Sequence, residues 1–255
     1  MKKRLDVLIF ERGLVSSRVK SQAIIMAGLV FVDGKKETKP GASFDDTSDI
    51  LVTELPRYVG RGADKISGVA EGFDLDFGGK IVADIGSSTG GFTDFALQHG
   101  AKKVYAIDVG TGQLDWRLRS DSRVIVMEKT DFRKIKKLPE KIDIFLVDVS
   151  FISLRKILEH IKTLRHSAAG KQTTPQTIND PMSIVALFKP QFEAGKKIAD
   201  KFRGVIDDPE IHQELLSDFS KWCDENGFEV LDKIASPILG AKGNKEFFFK
   251  LRIKE

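Results

Sequence analysis

Cysteine is almost missing from this chain of 255 residues: Cys223 stands alone, which removes any disulfide framework and any thiolate metal site. Beside Trp222 in a helical pattern, it reads as a packing residue. The four histidines, His99, His160, His166 and His212, are scattered without ligand-like spacing, so no metal is expected. Long apolar runs are also lacking. The longest, Ala23 to Val32, is half of what a membrane span needs and contains Gly28. Met1-Lys2-Lys3-Arg4 is not followed by an apolar signal region, so a cytoplasmic protein without a membrane partner is expected. Two nucleotide-binding loops are absent as well. There is no G-x-G-x-x-G and no Gly-Lys-Ser/Thr, which counts against a dinucleotide dehydrogenase and a phosphate-binding P-loop.

What is present is ordinary in amount and uneven in place. Hydrophobic residues make up 41% and charged residues 31%, enough for a buried core in a soluble chain. Residues 1–40 hold nine Lys and Arg against four Asp and Glu, whereas 41–56 hold Asp45, Asp46, Asp49 and Glu54 and no base. A cationic segment of this kind suits a polyanion, although charge alone fits a solvated surface equally well.

Residues 4–27 read as two short helices. Leu5, Leu8 and Ile9 form one stripe, Gly13 ends the first helix, and Ser16 or Ser17 caps the second. Leu29 to Val32, the turn pair Asp33-Gly34 and a basic return strand predict a hairpin, and Ile50 to Val52 a further strand. This gives a small α+β domain over 1–55. Pro56, Gly60 and Gly62 mark 56–62 as a linker, and 63–255 as a second domain. There, strands at Ile81–Ala83, Val104–Ile107, Val124–Met127, Ile142–Val147 and Ile184–Phe188 alternate with helices, the longest over Pro209–Glu225. Continuous apolar strands in alternation with helices mean a doubly wound, Rossmann-like α/β sheet. Residues 167–181 are polar and read as a surface loop.

The loop Asp84-Ile85-Gly86-Ser87-Ser88-Thr89-Gly90-Gly91 follows the first strand, at the sheet edge where open α/β folds bind ligands. Its glycines allow close backbone approach, and Gly90 is expected to leave room for the ligand itself. Asp108 ends the second strand, placed to accept ribose hydroxyls, and Asp131 follows the third, placed to meet an adenine amino group. Either acid alone would be a helix cap; the two together favour an adenosyl ligand without a pyrophosphate. Asp148 and Lys189 end the fourth and fifth strands and can form a partly buried ion pair. Lys65 and Glu246 stand outside the core strands.

Arg57 to Lys65, Asp84 to Gly91, Asp148-Val149-Ser150-Phe151-Ile152-Ser153, Lys189-Pro190-Gln191-Phe192-Glu193 and Gly243-Asn244-Lys245-Glu246-Phe247 together resemble the TlyA family over nearly the whole chain. The first 55 residues are similar to the RNA-binding module of pseudouridine synthases and tyrosyl-tRNA synthetases. The resemblance implies an S-adenosylmethionine-dependent, FtsJ-like ribose 2'-O-methyltransferase, acting on a cytidine of ribosomal RNA or ribosomal subunits. Gly86, Ser87, Ser88, Thr89, Gly90 and Gly91, with Asp84, Asp108 and Asp131, would hold the cofactor. It further implies a Lys65, Asp148, Lys189, Glu246 tetrad. In it Lys189 is the base, Asp148 and Glu246 orient it, and Lys65 holds the hydroxyl and lowers the proton affinity of Lys189 by repulsion. An exchange of the two lysines stays open. Arg4, Arg12, Arg18 and Lys20 are the expected RNA contacts. Two positions depart from the family: Gly60, where relatives commonly carry serine, and Asp207, where many carry arginine. A haemolysin, as the family is often labelled, and a catalytically inactive ribosome-binding factor are the alternatives. The first lacks a membrane element, and an intact tetrad argues against the second.

Overall fold

The computed structural model describes residues 2–15, 17–53, 57–168, 182–195, 202 and 204–254, without the side chains of 165–168. The expected surface loop therefore lies outside the described residues from position 169 onward. Contacts divide the chain into two units, Met1–Arg57 and Tyr58–Glu255.

In the small unit, helices α1 (Leu5–Glu11) and α2 (Arg18–Met26) pack through Leu5, Ile9, Ile24 and Ile25, all buried. Ser17 is the cap of α2: its hydroxyl accepts from the Lys20 N–H at 3.2 Å. Strands β2 (Val30–Val32) and β3 (Lys35–Glu37) form the expected hairpin. Its turn needs positive φ at both central residues, and Asp33 and Gly34 supply φ of 50° and 76°. The strand β5 (Ile50–Val52) pairs with the other edge of β2. The periodicity gave no sign of β1 (Lys2–Arg4) and β4 (Ser43–Asp45), a separate antiparallel pair of three residues each.

Asp6 is fully buried in this unit. Arg4 grips it with two hydrogen bonds, of 3.0 and 3.1 Å, while Arg18 and Gln22 add bonds of 3.0 and 2.8 Å. The hydrogen bonds from Arg4 hold its carboxyl far below the usual carboxylate range, against the opposing effect of burial.

The large unit begins earlier than the sequence suggested. Of the stretch 56–62 read as linker, Tyr58 to Gly62 fall in this unit. Tyr58 is buried against Phe95 at 5.8 Å between rings, and the Val59 N–H donates to Asp94 at 2.8 Å. Helix α3 (Arg61–Ala70) carries Lys65. Then follow β6 (Ile81–Ile85), α4 (Gly91–Gln98), β7 (Lys103–Ile107), the single turn α5 (Trp116–Arg119), β8 (Val124–Met127) and β9 (Ile144–Val147). The remaining elements are α6 (Leu154–Ala168), β10 (Ser183–Phe188), α7 (Pro190–Glu193), α8 (Pro209–Glu225), β11 (Phe228–Ala235) and β12 (Phe247–Ile253).

These strands form one seven-stranded sheet in the order β11-β12-β10-β9-β6-β7-β8. The five strands from β10 to β8 are parallel, and β12 runs antiparallel between β10 and β11. The inner parallel strands β10, β9, β6 and β7 are buried along nearly their whole length, which is why their sequences are so strongly apolar, whereas the edge strand β8 exposes Ile125. One core layer holds Ile66, Phe92 and Phe95 of α3 and α4, and the other holds Leu154, Ile157, Leu158 and Ile161 of α6 with Phe219 of α8. Leu154, Ile157, Leu158 and Ile161 repeat at helical spacing, so only one face of α6 is apolar.

The order of the strands reverses between β6 and β9. Loops after strands at such a point diverge and leave a crevice. The direction of β12 adds a fourth contribution. Because Phe247 pairs with Phe188, the residue before β12 meets the same sheet edge as the residue after β10. Glu246 and Lys189 are those residues.

Candidate active site

Lys65 from α3, Asp148 after β9, Lys189 after β10 and Glu246 before β12 converge at this edge. Lys65 Nζ lies 2.7 Å from Glu246 Oε2 and 3.9 Å from Asp148 Oδ2, and Lys189 Nζ lies 2.5 Å from Asp148 Oδ1. The four therefore form an alternating row, Glu246–Lys65–Asp148–Lys189, in which opposite charges neighbour one another and the sum is zero. Their side chains are largely buried, from 2% exposed for Glu246 to 20% for Asp148. Removing one member leaves its neighbour as an uncompensated charge in a poorly solvated place. The expectation that Glu246 orients Lys189 needs correction, since Glu246 is paired with Lys65 and Asp148 alone bridges the two lysines.

Three further residues shape the row. Lys189 Nζ also donates to Ser150 Oγ at 3.0 Å. Gly240 lies against Glu246: a Cβ there would come within 2.0 Å of Glu246 Oε1, so a side chain at 240 would displace the carboxylate. The buried amide of Asn244 accepts from Ile206 N–H at 3.1 Å and donates to the carbonyls of Gly204 and Ala241, both at 3.0 Å. This fixes the loop that delivers Glu246. Sequence reasoning missed all three. Asn244 and Ser150 lie inside motifs that were quoted, but Gly240 had no local signal.

The turn from Gly86 to Gly91 lies beside the row. A Cβ on Gly86 would meet the Asp148 carbonyl oxygen at 2.3 Å, and Gly86 has φ of +84°. Glycine is thus required both for the turn and for its approach to the loop after β9. Gly90 behaves otherwise than expected. Its φ is +98°, and a Cβ there would strike Leu118 at 2.2 Å and Leu114 at 2.8 Å, both buried core residues. A side chain at 90 damages packing rather than filling the approach of a ligand. At Gly91 a Cβ would come within 2.8 Å of Ala63 N, so this glycine lets α3 and α4 touch.

Asp84 is the buried penultimate residue of β6. Its Oδ2 accepts from the Thr93 N–H at 3.0 Å and the Thr93 hydroxyl at 2.7 Å, while Oδ1 is buried with no hydrogen-bond partner among the described residues. Burial pushes its pKa up to about 7, with the nearby charge of Asp148 adding to the effect. Asp108 orders the turn: Oδ2 accepts from Ser88 N–H at 2.8 Å and Oδ1 from Gly110 N–H at 2.7 Å. Each oxygen keeps a second lone pair. Ser87 is buried; the Ser88 hydroxyl donates to Gln113 at 3.2 Å, and the Thr89 carbonyl accepts from Asp115 N–H at 3.1 Å. Asp131 acts locally. It caps the 3₁₀ turn Phe132–Lys134 through Arg133 N–H and is gripped by the Arg133 guanidinium at 2.9 and 2.7 Å. At Gly60 a Cβ would reach within 2.6 Å of Thr89 Oγ1, so a serine here would require Thr89 to turn. Asp207 is exposed.

Of the four RNA contacts expected in the small unit, Arg4 and Arg18 are bound to Asp6, and Arg12 donates to the carbonyls of Ser48 and Asp46 at 2.8 and 2.6 Å. Lys20 is exposed. Cys223 is buried, and burial pushes its thiol up to about 12, in keeping with packing. Among the described residues, no helix is long and apolar enough to cross a membrane, and no group of three or more His, Cys, Asp or Glu could hold a metal.

The FtsJ-like methyltransferase profile matches residues 58–253, and the S4 domain profile matches residues 3–46. A candidate rRNA methyltransferase of Bacillus subtilis, YqxC, is 42% identical over 98% of this chain and 85% of its own. The 16S/23S rRNA (cytidine-2'-O)-methyltransferase TlyA of Mycobacterium tuberculosis is 37% identical over 98% of this chain and 89% of its own. Among solved structures, a candidate hemolysin from Streptococcus thermophilus covers 100% of this chain and 89% of its own, at 38% identity and a TM-score of 0.70.

Proposed function

The chain belongs to the FtsJ-like methyltransferase family, and from that premise we propose that it methylates the ribose 2'-hydroxyl of a cytidine in ribosomal RNA, using S-adenosylmethionine. The observation that carries this reading is the alternating row of Lys65, Asp148, Lys189 and Glu246 beside a glycine turn. A nucleobase nitrogen brings its own lone pair, whereas a ribose hydroxyl is a poor nucleophile until its proton is taken. A row of two lysines and two acids suits that task.

The residues present fit the cofactor. Asp84 Oδ1 is buried without a hydrogen-bond partner among the described residues and calls for a donor, which the ammonium of the cofactor's methionyl part can supply. Asp108 retains acceptor capacity for ribose hydroxyls, and Gly86 and Ser87 bring backbone close to the reacting edge. When bound, S-adenosylmethionine supplies an electrophilic methyl carbon on a sulfonium.

Lys189 takes the hydroxyl proton. Asp148, 2.5 Å away, orients its amine. Lys65, held by Glu246, keeps its ammonium toward the ribose oxygen and stabilises negative charge growing there. Much of the rate comes from alignment of that oxygen with the methyl carbon. The S4 domain supplies RNA affinity, with Lys20 making phosphate contacts. Incubation of isolated ribosomal subunits with methyl-labelled cofactor, followed by mapping of the label, tests the proposal. Label on a cytidine 2'-oxygen is the expected result; label on a base, or none on either subunit, overturns it.

A further inference from the structure

The proposed chemistry gives no role to Glu193, a half-buried acid. Glu193 ends α7, four residues after Lys189. Its Oε2 accepts from Ser153 Oγ and its Oε1 from the Leu154 N–H, both at 2.7 Å. Ser153 and Leu154 open α6, so the free amide at the start of this 15-residue helix is satisfied by a carboxylate from another loop. Burial raises the pKa of Glu193, with the two hydrogen bonds opposing that shift.

The bond is one of three that join the same two loops. Lys189 meets Asp148 and Ser150, at 2.5 and 3.0 Å. Phe192 lies 5.0 Å, between ring centres, from Phe151. Glu193 then meets Ser153 and Leu154. The loop after β9 and the loop after β10 thus run side by side, with the ion pair at one end and the half-buried carboxylate at the other. Helix α7 is a single turn of four residues and cannot hold its own place, because a lone helical turn is unstable by itself. The long, well-packed α6 can hold it.

We infer that Glu193 is a positioning residue that locks the loop after β10 onto α6 and thereby fixes Lys189 against Asp148. The inference rests on the reading of Lys189 and Asp148 as groups at the reacting centre. Displacements of about 1 Å in such groups cost on the order of a hundredfold in rate, so a tie this near the base acts on turnover.

The test uses the full chain carrying Glu193→Ala or Glu193→Gln, with Asp121→Ala as the control. Asp121 accepts from the Arg123 N–H and guanidinium at 2.9 and 2.7 Å just before β8, at the end of the parallel strands opposite the row. Each variant is assayed for kcat at saturating RNA and cofactor, cofactor Kd, Tm, and the rate at which acetic anhydride modifies Lys189, read by peptide mass spectrometry. Glu193→Ala and Asp121→Ala should lower Tm by similar amounts, about 2–4 °C. Only Glu193→Ala should lower kcat, by about tenfold to a hundredfold, with cofactor Kd within about twofold and Lys189 modified several-fold faster. Glu193→Gln, whose amide oxygen still accepts from Leu154, should recover most of the loss. An unchanged kcat and labelling rate in Glu193→Ala, or an equal kcat loss in Asp121→Ala, overturns the inference. If the unaltered chain transfers no methyl group to RNA, the functional reading falls, and the labelling ratio still decides whether Glu193 holds Lys189.

Discussion

In the small unit Asp6 lies between Arg4 and Arg18; in the large unit Asp148 lies between Lys65 and Lys189. Both acids face two cations, and both are withdrawn from solvent. Asp6, however, is saturated by hydrogen bonds from two guanidiniums and an amide, none of which can give up a proton near neutral pH. Asp148 holds one lysine amine at 2.5 Å and the other at 3.9 Å. The first acid has its oxygens filled by hydrogen bonds, whereas the second is held through ion pairs. What separates them is the chemistry of the cations, arginine against lysine, rather than the number of charges.

Breaking the lysine side of this comparison should have the largest effect. Lys189→Ala is expected to reduce methyl transfer by about 10³-fold while cofactor affinity, measured by calorimetry, changes little; near-normal transfer would return Lys189 to a structural role. Next comes a third acid, Asp84, which has too few donors instead of too many. Its folded pKa of about 7 exceeds the unfolded value of about 3.9, so the folded state binds the extra proton and loses stability as pH rises from about 4 to 7. Asp84→Asn should flatten that decline, by roughly 2–4 kcal/mol across the window, while weakening cofactor binding. Urea unfolding at pH 5 and pH 8 is the check, and an unchanged pH slope would refute the assignment.

Asp6 should behave with the opposite sign. Its folded pKa is depressed, so its contribution is full above about pH 4 and disappears as pH falls further. Asp6→Asn is expected to destabilise the small unit by about 2 kcal/mol at pH 7 and to leave transfer at saturating RNA unaltered. The smallest effect is expected at Lys20. Lys20→Ala should reduce the slope of log K for RNA against log salt by about 1, whereas the comparison fails if its removal leaves salt dependence unchanged.

The layered α/β sheet was legible because parallel strands are apolar along their whole length and helices on their faces repeat at 3.6. The four members of the row were legible too, though two of them only through resemblance, since nothing in the spacing of Lys65 or Glu246 points to a strand end. What escaped was set by distant packing. Three-residue strands such as Lys2–Arg4 are too short for a period, and the side chains of Arg4 and Arg18 carry no mark that a buried acid will claim them. Gly90 illustrates the same limit. Its place in a ligand loop was readable, but the direction of its missing side chain depends on Leu114 and Leu118, more than twenty residues onward.

The antiparallel direction of β12 has a consequence in time. During synthesis a chain made through β10 already holds Lys65, Asp148 and Lys189, and the turn after β6. Glu246 reaches Lys65 only after β11 has been made and Phe247–Ile253 has inserted between it and β10. Of the four members of the row, Glu246 is therefore the last to be made. The row is whole only when β12 lies beside β10 and carries Glu246 to Lys65.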